Sequence, residues 1–213
     1  MGILRHLTTG VIAAAIAFSA SAQDQWEEGK HYQRLPSEES ASSSDEGIEV
    51  AEVFWYGCGY CLEFEPHVQA WKEDMAEDIN FVYLPAPMNR AAAEHAKAFY
   101  ASEALDAREQ THDAFYQALA ADRRNLSSAS DLADFVAEQG VDRDAFLKAF
   151  NGFGVKAQTQ RAMSVLRGAQ VQGTPTVLVA GKYRTSPSMA GGYKEALAVV
   201  DYLVEKERGE SAE

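Results

Sequence analysis

The sequence predicts an α/β fold whose sheet unit is interrupted by an all-helical insertion. Three observations carry this reading. A stretch rich in β-branched and aromatic residues, Ile48–Tyr56, is apolar on both faces and runs straight into a helical pattern. A second strand pattern, Ile79–Leu84, follows that helix and closes on Pro85 and Pro87. Helical periodicity then dominates from Met88 to Ala169 before two more strands and a final helix, so the helices interrupt the α/β unit instead of following it. At 213 residues the chain has room for one sizeable core carrying such an insertion.

Taken in order, His31–Leu35 is expected to form a short edge strand, and Pro36–Gly47 (PSEESASSSDEG) is a Ser/Glu-rich connector without periodicity. Strands apolar on both faces lie centrally in sheets covered by helices on each side, which is where Ile48–Tyr56 belongs. After Gly57, residues Cys61, Phe64, Val68, Trp71 and Met75 recur at steps of three and four and make one stripe of a helix. Pro66 falls inside that helix and is expected to kink it. The helical block divides into Ala-rich amphipathic segments near 89–105, 108–121, 128–138, 142–150 and 155–169. Its breaks fall at Asn125, Gly140 and the Gly152/Gly154 pair, with N-caps expected at Ser128 or Ser130 and at Asp142. Val171–Pro175 leads into a strand at Thr176–Ala180, Gly181-Lys182 turns into a short strand at Tyr183 and Arg184, and a last helix runs from about Gly192 to Glu207. The chain thus divides into a sheet-bearing domain, 23–87 and 171–213, and an inserted helical domain, 88–170.

Residues 1–22 stand apart. Arg5 and His6 precede the mostly apolar Leu7–Phe18, and Ser19-Ala20-Ser21-Ala22 follows, the order of a secretory signal peptide cut after Ala22. The segment has no cysteine for lipid attachment, and no apolar run reaches the ~18 residues of a membrane span. An exported protein without direct membrane anchoring is expected. The formal charge is −13, from 32 acidic and 19 basic residues, and removal of Arg5 makes the mature chain more acidic still. Such a surface repels phosphate backbones and anionic lipid heads, which argues against nucleic acid and membrane surfaces as partners.

Both cysteines sit in one C-x-x-C, Cys58-Gly59-Tyr60-Cys61, at a strand-to-helix turn. Export places them where disulfides persist. A bridge closing so short a loop restrains the unfolded chain little, so a purely structural disulfide is the weaker reading. A c-type haem site needs His after the second cysteine, where this chain has Leu62. A zinc site needs two more ligands, and His31, His67, His95 and His112 are scattered singly. Redox chemistry remains. A thiolate attacks disulfides and a thiol does not, and the unpaired N–H groups and dipole of a helix N-terminus favour an anion at Cys58. Cys61, at the head of the apolar stripe, should be more buried and resolve the mixed disulfide from inside.

The run Val53-Phe54-Trp55-Tyr56-Gly57-Cys58-Gly59-Tyr60-Cys61, followed by a helix and later by Gly173-Thr174-Pro175-Thr176, resembles the DsbA family of periplasmic oxidoreductases. The resemblance spans Gln25 to Lys206 and implies a thioredoxin-like fold with an inserted helical domain. It implies that Cys58 is the nucleophile and that Pro175 is cis and faces the dithiol, although local sequence alone allows an ordinary trans proline. It implies that the Thr174 backbone, with Gly59 and Tyr60 beside it, meets an extended substrate segment. It also implies that Glu52 is a buried acid able to relay a proton to the inner cysteine, where the bare sequence equally allows a solvent-facing strand residue. This chain departs from the best-known members in having Gly59-Tyr60 in place of Pro-His and Thr174 in place of a more apolar residue. Tyr60 supplies no positive charge, so the Cys58 pKa is expected below a free thiol's but less depressed than in Pro-His members.

The function expected is oxidation of paired cysteines in newly exported, unfolded proteins in the periplasm, with reoxidation by a membrane quinone-coupled partner of the DsbB type. No cofactor beyond the redox-active Cys58–Cys61 disulfide and no metal is expected. Trp55, Tyr56 and Tyr60 offer apolar contact to clients, with core packing the competing role for Trp55. The competing readings are a disulfide isomerase or reductase of the same fold, and a binding module or chaperone with a vestigial dithiol. Isomerases of this fold carry an N-terminal dimerisation domain, and the residues between Gln23 and the active-site strand are too few for one, so a monomer is expected.

Overall fold

Among the described residues five strands form one mixed sheet: β1 (Tyr32–Arg34), β2 (Ile48–Phe54), β3 (Ile79–Pro85), β4 (Thr176–Val179) and β5 (Tyr183–Thr185). Side by side they run β1-β5-β4-β2-β3, with β2 and β3 parallel and the other pairs antiparallel. The structure, a computed structural model, describes residues 25–42, 44 and 46–211, so the expected signal peptide lies outside the described residues. β2 lies between β4 and β3 with six of its seven residues buried, as an apolar run with no polar face requires. It ends at Phe54 and not at Tyr56, because the chain must already be turning to bring Cys58 to the helix start.

Helix α1 (Gly59–Glu73) continues through Pro66 without interruption. Five helices then separate β3 from β4: α2 (Arg90–Glu103), α3 (Arg108–Tyr116), α4 (Ala129–Glu138), α5 (Arg143–Phe150) and α6 (Phe153–Gly168). A π-helical turn, Gln117–Ala121, extends α3. Ser128 caps α4 in a reciprocal box with Asp131, and the Asp142 side chain accepts from the Ala145 N–H at the start of α5; Ser130 lies inside α4. A short α7 (Pro187–Ala190), absent from the sequence reading, precedes α8 (Tyr193–Ser211), which runs past the expected Glu207.

The two faces of the sheet are covered differently. On one, Val50, Val177 and Val179 pack with Phe64 and Val68 of α1 and with Val199, Val200 and Leu203 of α8. On the other, Ala51, Val53, Leu84 and Leu178 pack with Ala162, Val165 and Leu166 of α6. A third cluster joins Phe54, Tyr56, Cys61 and Tyr83 to Phe99, Phe115, Leu132 and Phe146 of the helical block. Each fully buried side chain of this size contributes roughly 1.5–3 kcal/mol. The inner cysteine therefore sits where the sheet, α1 and the inserted helices meet.

The connector enters β2 through Gly47, whose φ is +71° and where a Cβ would stand 2.5 Å from the Asp78 carbonyl oxygen. That oxygen already accepts from the Ile48 N–H at 2.7 Å, so it cannot retreat without losing the strand's first bond. Gly47→Ala should cost roughly 1–3 kcal/mol in urea unfolding through backbone strain. Wild-type stability in this variant would contradict the close approach.

Candidate active site

Cys58 is the N-cap of α1, with extended backbone (φ −93°, ψ 113°) and no side-chain capping bond. Gly57 before it is required for space: a Cβ there would lie 2.4 Å from the Trp55 ring. That ring is fixed in turn, because its Nε1–H donates to His95 Nδ1 at 2.9 Å while His95 Nε2 contacts the Leu126 carbonyl oxygen at 3.0 Å. Trp55 is thus partly buried against the helical block. Tyr56 is buried, at 1% exposure, which corrects the expectation that it meets clients; its hydroxyl is engaged with His112 Nδ1 at 2.9 Å. Tyr60 stands 69% exposed beside the exposed Gly59.

Both cysteines are free, Cys58 half-buried and Cys61 wholly buried. The Cys58 thiol is lowered to about 6, chiefly by the hydrogen bond it receives from the Cys61 thiol. Its partial burial opposes this, while the Thr174 side chain and the backbone N–H groups of Cys61 and Tyr60 add to it. Burial pushes the Cys61 thiol far up, and its donation to Cys58 and the charge there push it further. One proton shared by the two sulfurs therefore resides on Cys61. This agrees with the expected direction, but the inner thiol contributes more than the helix start, which the sequence reading had put first. As a thiol, Cys58 Sγ donates to the Thr174 carbonyl oxygen at 3.4 Å, and the Thr174–Pro175 peptide bond is cis, as the resemblance implied. Thr174, Pro175 and Tyr60 line a groove of about 750 Å3 together with Pro187, Met189 and Tyr193.

Glu52 is 0% exposed, and neither carboxyl oxygen has a hydrogen-bond partner. Its pKa is raised well above the ordinary value by burial first and by the nearby charge of Glu65 second, with Lys72 opposing. Glu65, on α1 four residues after Cys61, behaves in the opposite way. Burial would raise it, but hydrogen bonds and charge from His112, with further bonds from Gln69 and Tyr83, lower it overall. Gln69 Nε2 donates to Glu65 Oε1 at 2.5 Å, the Tyr83 hydroxyl donates at 2.9 Å, and His112 Nε2 lies 3.5 Å away. Two neighbouring buried carboxyls are thus driven apart into an acid, Glu52, and a carboxylate, Glu65.

Sequence reasoning missed Glu65, Tyr83 and His112. Glu65 was legible in principle, being an acid on the buried stripe between Phe64 and Val68. His112 carried no signal, because only the folding of α3 onto β2 brings it there. Among the described residues Glu65, His112 and Asp113 have the spacing to hold a metal ion, but Glu65 and His112 are already engaged with Gln69, Tyr83 and Tyr56.

The chain matches the family model described as a DSBA-like thioredoxin domain over residues 49–199. A thiol:disulfide interchange protein DsbA from Pseudomonas aeruginosa is 38% identical over 203 residues, covering 95% of this chain and 96% of that protein. The protein of the same name from Burkholderia cepacia is 34% identical over 200 residues, 94% of this chain and 91% of its own length. The crystal structure of Pseudomonas aeruginosa DsbA matches with a TM-score of 0.84 at 37% identity, covering 89% of this chain and 98% of that one.

In the reduced protein, thiolate ultraviolet absorbance should titrate at a midpoint of about 6 and vanish in Cys58→Ser. Because the folded-state value is the depressed one, this ionisation stabilises the reduced fold above the unfolded thiol's pKa. The stabilisation declines as pH falls and is gone below about 6. A midpoint at the ordinary thiol value of about 8.5 would contradict the geometry.

Proposed function

Since the chain belongs to the DsbA-like thioredoxin family and is a disulfide-introducing thiol:disulfide oxidoreductase, we propose that Cys58 is its client-facing sulfur and Cys61 its resolving one. A client thiolate attacks Sγ of Cys58 in the oxidised pair; the client–Cys58 bond forms, the Cys58–Cys61 bond breaks, and Cys61 leaves with the electron pair and takes a proton. A second client thiolate then attacks the client sulfur, releasing the client disulfide and leaving Cys58 as thiolate. The observation that carries this assignment is the opposition of the two sulfurs: one half-exposed and held near pKa 6, the other buried and strongly protonated. An accessible thiolate is a good leaving group, and its stabilisation favours the reduced enzyme, which makes the disulfide oxidising.

Glu52 fits the role of proton donor to departing Cys61, being buried, neutral and without a partner. The exposed Tyr60 and the carbonyl of Thr174, before Pro175, fit an extended client segment laid along the groove. The clients are unfolded exported proteins, the compartment is the periplasm, and a quinone-coupled membrane partner of the DsbB type restores the disulfide; the enzyme works as a monomer with that disulfide as its redox centre. No helix among the described residues is long and apolar enough to cross a membrane.

Mixing the oxidised protein with a dithiol peptide should give the peptide disulfide and reduced enzyme. Cys58→Ser should abolish this, whereas Cys61→Ser, given the peptide in its disulfide form, should accumulate a mixed disulfide at Cys58 as its thiolate displaces one peptide thiolate. Insulin reduction without peptide oxidation would point to a reductase. Turnover in Cys58→Ser would remove the assignment altogether.

A further inference from the structure

Trp55, Tyr56 and Gly57 lie between the last residue of β2 and the Cys58 N-cap of α1, outside both the ladder and the helix. The backbone of Trp55 meets both sulfur-bearing residues. Its carbonyl oxygen accepts from the Cys58 N–H at 2.9 Å, and a backbone hydrogen bond from it reaches the Cys61 sulfur. The Cys58 carbonyl oxygen in turn accepts from the Cys61 and Leu62 N–H groups, each at 3.1 Å. The seat of Cys58 at the start of α1 therefore follows the position of Trp55.

We propose that His95 is a positioning residue for the dithiol: it holds the Trp55 indole from the inserted helical domain, and through it the turn that seats Cys58. This rests on Cys58 being the client-facing sulfur. His95 belongs to α2 and is 6% exposed. Its Nδ1 meets the indole N–H, which can only donate, at 2.9 Å, and its Nε2 meets the Leu126 carbonyl oxygen, which can only accept, at 3.0 Å. These partners leave one arrangement, with the proton on Nε2 and the Nδ1 lone pair turned to Trp55. Burial lowers the His95 pKa, which keeps the ring neutral and Nδ1 able to accept. The two ring planes lie within 17° of parallel with centroids 6.2 Å apart, which suits an in-plane N–H···N bond better than face-to-face contact. The indole also crowds Gly57, where a Cβ would lie 2.4 Å from it, so a shifted ring would move the residue next to Cys58.

This anchor weighs differently on the two redox states. In the oxidised protein the Cys58–Cys61 bond itself keeps the sulfurs together. In the reduced protein only non-covalent contacts keep Cys58 Sγ within reach of the Cys61 thiol and of the Tyr60 and Cys61 N–H groups. Loss of the His95 bond therefore costs the reduced state more, and the couple becomes less oxidising. His112 also meets this turn, through the Tyr56 hydroxyl at 2.9 Å, but it is shared with Glu65. Both ring nitrogens of His95 are spent on Trp55 and Leu126, so the hold of the insertion on the turn can be broken there without disturbing the buried acids.

Thiolate absorbance of the full-length reduced protein and its equilibrium with glutathione test the anchor. His95→Phe should raise the absorbance midpoint from about 6 and shift the equilibrium constant about tenfold, or about 30 mV, toward oxidised enzyme. His95→Gln, which offers an oxygen to the indole and an N–H to the Leu126 carbonyl, should restore both values. Trp55→Phe removes the donor from the other side and should reproduce the shift. The double variant should shift no further than either single one, since the same bond is lost in each. A less stable His95→Phe with the wild-type midpoint and constant would overturn the proposal, leaving His95 a structural role, and additive shifts in the double variant would overturn it as well. If neither phenylalanine variant folds, magnetic resonance of the unaltered reduced protein decides: an Nε2-protonated His95 bonded to the Trp55 indole supports the anchor, and a proton on Nδ1 removes it. An unaltered protein that titrates as an ordinary thiol would sink the Cys58 assignment, whereas a low midpoint that His95→Phe and Trp55→Phe leave unmoved sinks the anchor alone.

Discussion

The hydrogen bond from the Cys61 thiol to the Cys58 sulfur settles where one proton resides, and the neighbouring structure supports that choice from both sides. At the open side, Cys58 begins α1 with no capping side chain to compete for the first-turn N–H groups, so these turn to the sulfur. At the closed side, Cys61 lies in the cluster built by Phe54, Tyr56 and the inserted helices, where an anion would be poorly solvated. Exposure and burial three residues apart on one helical turn give two sulfurs of the same chemistry opposite behaviour.

The helical insertion does more than enlarge the molecule. α6 covers one face of the sheet, and α3 brings His112 between Tyr56 and Glu65, so the charge state of the acids behind the dithiol depends on a residue from outside the sheet unit. Ionisable groups this deeply buried are poor sources of stability, because desolvation offsets most of what their contacts return. Retaining Glu52, Glu65 and His112 in such a place makes sense as control of a proton, in the way catalytic sites hold neighbouring acids at different protonation states.

Much of this was legible before folding. β2 announced itself by lacking a polar face, α1 by the stripe from Cys61 to Val68, and the redox pair by its place between the two. Ser128 and Asp142 gave the starts of α4 and α5 because a capping oxygen is a local requirement visible in a few residues. What could not be read was tertiary. α7 is a single turn too short for periodicity, and Tyr56 looked like a client contact because nothing in the strand pattern says that α3 covers it. His112 appeared as a lone histidine, and only the approach of α3 to α1 gives it Glu65 as a partner.

The dependence of the reduction potential on pH tests the division of protons most directly. With Cys58 as thiolate and Cys61 as thiol, reduction takes up one proton for two electrons, and the potential should fall by about 30 mV per pH unit. Below the Cys58 pKa of about 6, a second proton is taken up and the slope should steepen to about 59 mV per unit. A break between these slopes near pH 6 is the result this account requires. A two-proton slope persisting to pH 8, or no slope at all, would mean that the proton is not held on the inner sulfur.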